Sequence, residues 1–171
     1  MGKITGTRKL AWREDGVGTE IERKFLVATD AWRNTASEGV PILQGYITMG
    51  PPIAVRVRIA GEQATLNLKK STVDIARDEF EYPIPADEAA QLLGHFCAGH
   101  VIQKKRHKVE YRGFIWEVDI FEGSNEGLVI AEIELKAVDQ PFDLPPWVGS
   151  EVSGDPRYLN TSLSVHPYQD W

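Results

Sequence analysis

The sequence predicts a β-dominated α+β fold, built as an antiparallel sheet or a closed barrel. Eight segments read as strands, and most are joined by short links. Helical segments fall between only some of them. No crossover helix follows each strand in turn, which disfavours a doubly wound parallel sheet. Several strand segments also alternate between apolar and charged residues, as a sheet with two unlike faces requires.

At 171 residues the chain has the size of one domain with a full core. Residues 1–18 are Gly-rich and polar with little periodicity and read as a loosely held extension; residues 19–171 read as a single domain. Its 42% hydrophobic and 26% charged residues are those of a soluble globular protein. No apolar run is long enough to span a bilayer, and the first residues lack the apolar stretch of a secretory signal. A cytoplasmic protein with no membrane partner is therefore expected. The single cysteine, Cys97, excludes an internal disulfide framework and fits a reducing compartment. A formal net charge of −6 argues against a general nucleic-acid binder.

The first strand is TEIERKFLV (19–27). Side chains alternate along a strand, so Glu20, Glu22 and Lys24 share one face while Ile21, Phe25 and Val27 can anchor the other to a core. Neighbouring carboxylates repel, and they need compensation from water, other side chains or a metal ion. Thr29 or Asp30 then caps a short helix, AWRNTASE, which Gly39 closes. PILQGYITM (41–49) is a strand stopped by Gly50-Pro51-Pro52. IAVRVRIA (53–60) alternates strictly, and Gly61-Glu62 turns it into QATLNLKK (63–70). ARDEFEYPI (76–84) follows a polar loop. Pro85 opens a helix ending in AAQLLGHFC, with apolar residues near helical spacing. VIQKKRHKVEY (101–111) and FIWEVDIF (114–121) flank the hairpin signal Arg112-Gly113. LVIAEIELKAV (128–138) is the last long strand. After a Pro-rich connector, Asp155-Pro156 caps a C-terminal helix.

The charges fall in same-sign sets on single faces. Arg56 and Arg58 oppose Val55, Val57 and Ile59. Thr65, Asn67 and Lys69 oppose Leu66 and Leu68. Lys104, Arg106 and Lys108 share a face, as do Glu132 and Glu134, Glu117 and Asp119, and Arg77, Glu79 and Glu81. A solvated sheet face is also polar, but it mixes neutral and charged groups of both signs. Here acidic pairs sit in the first and last long strands and basic groups in between. If the sheet closes, the terminal strands come together and a carboxylate cluster faces a basic one. Carboxylates suit hard divalent cations, and Arg and Lys clamp phosphate oxygens. A metal opposite a basic cradle is a recurring construction in phosphoryl transfer.

The motifs Glu20-x-Glu22-x-Lys24, QGY (44–46), RVR (56–58), LNLK (66–69), RDEFE (77–81), KKR (104–106), EVDIFEG (117–123) and AEIEL (131–135) occur in order. As a set they resemble the CYTH domain family, the triphosphate tunnel metalloenzymes. PPWVGSEVSGDPRYLN (145–160) is similar to the tail of the short bacterial members, and the resemblance covers about 19–165. It implies an eight-stranded antiparallel β-barrel forming a charged tunnel, with helices packed outside. It also implies that Glu20, Glu22, Glu132 and Glu134 bind Mg²⁺ or Mn²⁺. Lys24, Arg56, Arg58, Lys104, Arg106 and Arg77 would then hold the triphosphate. Lys69 matches the lysine that helps to activate water, with the Tyr46 hydroxyl as its partner. Glu79, Glu81 and Asp119 match further tunnel positions.

The function implied is metal-dependent hydrolysis of a triphosphate, foremost inorganic triphosphate to diphosphate and phosphate. The alternatives within the resemblance are a class IV-type adenylate cyclase, a thiamine or nucleoside triphosphatase, and a non-catalytic polyphosphate-binding module. The expected partner is a triphosphate-containing small molecule, with a second copy of the chain as a candidate. Other signals carry less. His95, His100, His107 and His166 lack metal-ligand spacing. Cys97 reads as a core thiol and Trp147 as a packing anchor. Gly16-x-Gly18 precedes a strand, so it is no dinucleotide fingerprint. The basic run at 104–108 splits between two faces of a strand, which disfavours a nucleic-acid surface.

Overall fold

A computed structural model describes residues 18–50, 52–70, 76–97, 99 and 101–171. The extension expected at the N-terminus lies, up to residue 17, outside the described residues. The strands are β1 (Gly18–Val27), β2 (Val40–Thr48), β3 (Ile53–Ala60), β4 (Gln63–Lys70), β5 (Ala76–Pro83), β6 (Val101–Tyr111), β7 (Phe114–Glu122), β8 (Val129–Leu135) and β9 (Val148–Glu151). Helix α1 (Ala86–Phe96) follows β5, and α2 (Asn160–Val165) stands near the C-terminus. Among the described residues no helix is long and apolar enough to cross a membrane.

The strands run antiparallel in the order β5-β4-β3-β2-β6-β7-β8-β1-β9. The start of β1 also pairs with β5, from Gly18↔Glu79 to Ile21↔Ala76. Its remainder pairs with β8, from Ile21↔Leu135 to Leu26↔Ile130. The two ends of the eight-strand run therefore meet at β1, and the sheet curls into a barrel. Where β5 leaves β1, β9 takes over that edge through Phe25↔Glu151 and Val27↔Val148, which covers backbone groups that would otherwise be open.

Three elements differ from the sequence reading. The Pro-rich connector contains the ninth strand, β9, whose partner lies far back in the chain. The helix expected after Thr29 is a single 3-10 turn, Asp30–Asn34; Thr29 is extended and its side chain makes no capping bond. Burial of Trp32 (1% exposed) holds the turn instead. At the C-terminus Asp155 does cap, accepting from the Arg157 amide, but over the 3-10 turn Pro156–Tyr158. The extended backbone of Leu159 then separates this turn from α2.

Alternation puts two apolar cores on the outer wall of the barrel. Ile21, Phe25, Trp116, Val118, Ala131 and Ile133 pack with Trp147 from the connector. On the far side Ala89, Leu93 and Cys97 at the end of α1 cover Val57 and Ala64. Gly45 on β2 permits that close approach: a Cβ there would stand 2.6 Å from the Cys97 Cβ. Cys97 is fully buried, and burial raises its thiol pKa. The third cluster is internal. Ile102, Phe121 and Ile130, joined by Leu26, Leu128 and Leu163 of α2, share strand faces with Lys104, Asp119, Glu132 and Lys24, two residues along in each case. The charged interior therefore rests on an apolar floor, which strengthens electrostatic interactions above it.

Candidate active site

Above that floor lies a cavity of about 820 Å³ walled by charged side chains. Strand β1 supplies Glu22 and Lys24, β2 Tyr46, β3 Arg56 and Arg58, and β4 Lys69. From the other side β6 supplies Arg106 and Lys108, β7 Glu117, and β8 Glu132 and Glu134; Leu159, Asn160 and Thr161 complete the wall near α2. Each residue stands there because inward positions recur every second residue. Of the residues singled out from sequence, Lys24, Tyr46, Arg56, Arg58, Lys69, Arg106, Glu22, Glu132 and Glu134 are brought together here. The side chains of Glu20 and Arg77 lie outside what the structure describes; their backbones are paired across β1 and β5.

One wall is a connected ion-pair network. Registers set Glu22 opposite Glu134 and Lys24 opposite Glu132, and Glu132 opposite Glu117. Lys24 Nζ donates to Glu22 Oε2 at 2.8 Å and also to Glu132 Oε1. Arg106 donates through Nε to Asp119 Oδ1 (2.7 Å), through Nη2 to Asp119 Oδ2 and Glu132 Oε2 (both 2.6 Å), and through Nη1 to Glu117. Lys104 donates to Asp119 from below, with both side chains wholly buried. Its ammonium stands 5.2 Å from the Phe121 ring centre, at the apolar floor and beneath the cavity wall.

The network sets the ionisation of its members. Burial opposes the Lys24 charge, but Glu132 and Glu22 more than offset it, so its pKa is raised. Burial likewise opposes the Glu132 carboxylate, yet Lys24, Arg106 and Lys104 hold its pKa well below the ordinary value. Asp119 is lowered for the same reason, with Lys104 and Arg106 overcoming its burial. Lys104 goes the other way: burial, aided by Arg106 and Arg58, outweighs Asp119 and takes it down to about 8.

The facing wall is built differently. Arg56 Nη2 donates to Glu79 Oε1 at 3.2 Å, and Lys69 Nζ lies 2.9 Å from Glu79 Oε2. Asn67 Nδ2 also donates to Glu79 Oε1 at 2.7 Å and to Glu81, while Thr65 donates to Asn67 Oδ1. Glu79 and Glu81 thus brace the basic wall by hydrogen bonds. Arg56 Nε is buried with no hydrogen-bond partner. Arg58 meets a neutral partner, donating through Nε (3.3 Å) and Nη2 (3.1 Å) to Gln44 Oε1. Burial, with Arg56 and Arg106 near, lowers its pKa to about 10 against the opposing pull of Asp119. A guanidinium so placed stays charged, and among the described residues its hydrogen-bond partner is the neutral Gln44 amide.

Glu22 and Glu134 face each other across β1 and β8, and Glu132 lies behind them. Their donors are all oxygen, the chemistry a hard divalent cation takes. Among the described residues no three such side chains converge as a ready metal site; Lys24 Nζ pairs with both Glu22 and Glu132. Sorting by charge alone missed Gln44, Asn67 and Asn160. Gln44 and Asn67 are wholly buried and sit two residues from Tyr46 and Lys69 on the same faces, which is the signal that could have found them. Of the discounted groups, His107 Nδ1 lies 2.9 Å from Ser37 O, and Trp147 is packed in the outer core.

The CYTH domain family model matches residues 18–165. The chain belongs to the CYTH family. An inorganic triphosphatase of Acetivibrio thermocellus is 47% identical over 155 residues, covering 91% of this chain and 99% of the relative. An inorganic triphosphatase of Nitrosomonas europaea is 36% identical over 151 residues, covering 86% and 97%. The crystal structure of an inorganic triphosphatase superposes with a TM-score of 0.64 at 35% identity, over 86% of this chain and 95% of that one. A Bacillus halodurans structure put forward as an adenylate cyclase shares the fold alone, at 18% identity and a TM-score of 0.54 over 72% of this chain and 84% of that one. Triphosphatases of the CYTH family are divalent-metal enzymes.

Proposed function

We propose that this CYTH chain is an inorganic triphosphatase, hydrolysing triphosphate to diphosphate and phosphate inside the barrel. The observation that carries this is the pair Arg56 and Arg58 on one face of β3, aimed into a cavity whose opposite wall bears carboxylates. Arg56 keeps an unpartnered Nε and Arg58 a neutral neighbour, so both have donors and charge for phosphoryl oxygens. Lys24 and Arg106 extend the cradle from the far side, while Lys104 supports it from the floor through Asp119. Arg77 is assigned to phosphate binding on the family pattern alone.

Glu22, Glu132 and Glu134, with Glu20, would hold a divalent cation, Mg²⁺ or Mn²⁺. When bound, such an ion polarises phosphoryl oxygens and offsets their charge. The protein's own groups do the rest. Arg56 and Arg58 fix the chain of phosphates so that the terminal phosphorus is presented to a water. Lys69, beside Glu79, and the Tyr46 hydroxyl are assigned to orient that water, and Lys69 receives its proton when it is the neutral amine, the form that has a lone pair to accept it. The new bond joins the water oxygen to the terminal phosphorus, the bridging P–O bond breaks, and diphosphate leaves with the electron pair.

Purified protein assayed with Mg²⁺ or Mn²⁺ against triphosphate, ATP and thiamine triphosphate, with phosphate and cyclic AMP measured in parallel, tests this. The highest kcat/KM is expected for inorganic triphosphate, with no cyclic AMP. Cyclic AMP from ATP, or no phosphate from triphosphate, would overturn it.

A further inference from the structure

We propose that Gln44 is a positioning residue for triphosphate binding: its neutral amide fixes the Arg58 guanidinium without cancelling its charge, leaving that charge for a phosphoryl group. The inference rests on the triphosphatase reading above and deepens it.

The cations around Arg58 are held by carboxylates. Lys24 is paired with Glu22 and Glu132, Arg56 and Lys69 with Glu79, Lys104 with Asp119, and Arg106 with Glu117, Asp119 and Glu132. Among the described residues Arg58 has no carboxylate within ion-pair distance; its hydrogen-bond partner is Gln44. Gln44 is wholly buried on β2, in register with Arg58 across the β2–β3 ladder. Its orientation follows from chemistry. A guanidinium has donors only, so the amide oxygen must face Arg58. The amide nitrogen then faces Tyr46, and Gln44 Nε2 donates to the Tyr46 hydroxyl at 3.3 Å. One neutral side chain thereby sets both a phosphate-binding guanidinium and the hydroxyl assigned to the attacking water.

Glutamate is nearly isosteric with glutamine and would accept from Arg58 in the same place, as a charge-assisted pair. If Gln44 served only to pack and hold Arg58, glutamate would be the milder change and methionine the harsher, since methionine loses the hydrogen bonds. If its neutrality matters, the order reverses. Gln44→Glu is expected to keep the thermal midpoint yet weaken binding of inorganic triphosphate at least about tenfold. Gln44→Met, which leaves Arg58 charged but loosely held, should raise KM by about three- to fivefold, the smaller effect.

Calorimetric titration with inorganic triphosphate and steady-state kinetics on both variants, with circular dichroism as the folding check, read this out. Wild-type affinity in Gln44→Glu, or a larger loss in Gln44→Met than in Gln44→Glu, overturns the proposal. Should Gln44→Glu not fold, Gln44→Met with a wild-type circular dichroism spectrum decides: an unchanged KM overturns the proposal and a raised KM supports it. Arg58→Ala separates the two layers. If it leaves triphosphate binding intact, the basic cradle itself is wrong. If it weakens binding while both Gln44 variants bind as wild type, only the role of Gln44 is wrong.

Discussion

Glu132→Gln probes the charge network at the carboxylate that joins Lys24 to Arg106. Glu132 is buried and accepts from Lys24 Nζ on one oxygen and from Arg106 Nη2 at 2.6 Å on the other. Glutamine keeps one acceptor but points an NH₂ at the second cation, so one charge-assisted bond is lost and the other becomes neutral-to-charged. Hydrogen bonds to charged groups contribute about 1.5–3 kcal/mol each, and orphaning a buried charge costs about 3–5 kcal/mol. Neither cation is orphaned here: Lys24 keeps Glu22, and Arg106 keeps Asp119 and Glu117. A loss of about 2–3 kcal/mol is therefore expected, or roughly 4–12 °C in Tm for a chain of this size.

The effect carries a pH signature. Because the folded Glu132 pKa is depressed, its contribution is fully present above the unfolded carboxyl value of about 4.3 and is lost as pH falls through the folded value. Thermal and urea unfolding of wild type and Glu132→Gln at pH 7, 5 and 3.5 should give equal differences at the first two and a smaller one at the third. A Tm change under about 2 °C at pH 7, or a difference that grows on acidification, would refute the reasoning.

Three further outcomes are expected. Arg58→Ala should raise the KM for triphosphate about tenfold or more, and Arg58→Lys should recover only part, because a point charge cannot reproduce the bidentate fork; steady-state kinetics check both. Lys69→Met should lower kcat far more than it raises KM if Lys69 acts on the attacking water, whereas a rise in KM alone would place Lys69 with the cradle. Glu22→Gln and Glu134→Gln should remove most activity while leaving the circular dichroism spectrum intact, and excess chelator should stop turnover in the wild type; full turnover in chelator would contradict the cation's role.

What could be read from the sequence was the face on which each side chain lies. Period-two alternation placed Arg56 and Arg58 opposite Val55 and Val57, and Glu132 opposite Ile133, as the structure has them. The Arg112-Gly113 turn was legible because both residues take positive φ, 48° and 81°, the conformation that a two-residue hairpin joining right-twisted strands demands. Depth along the barrel was not legible. Lys104 and Arg106 share a face, yet one is sealed against Phe121 and the other lines the cavity. That difference depends on how far neighbouring strands are staggered, which no single strand encodes. Strand β9 escaped notice because four residues cannot show a period and their partner lies in β1. Gln44 escaped because its importance comes from being neutral beside Arg58, across the β2–β3 ladder.

The most direct test of a triphosphatase built from this charged interior is ³¹P NMR of inorganic triphosphate incubated with the protein and Mg²⁺, followed to completion and repeated with excess chelator. The account predicts loss of the triphosphate signals, equimolar growth of diphosphate and phosphate, and no change in chelator. Triphosphate signals that persist with Mg²⁺ present, or cleavage that continues unchanged in chelator, would contradict it.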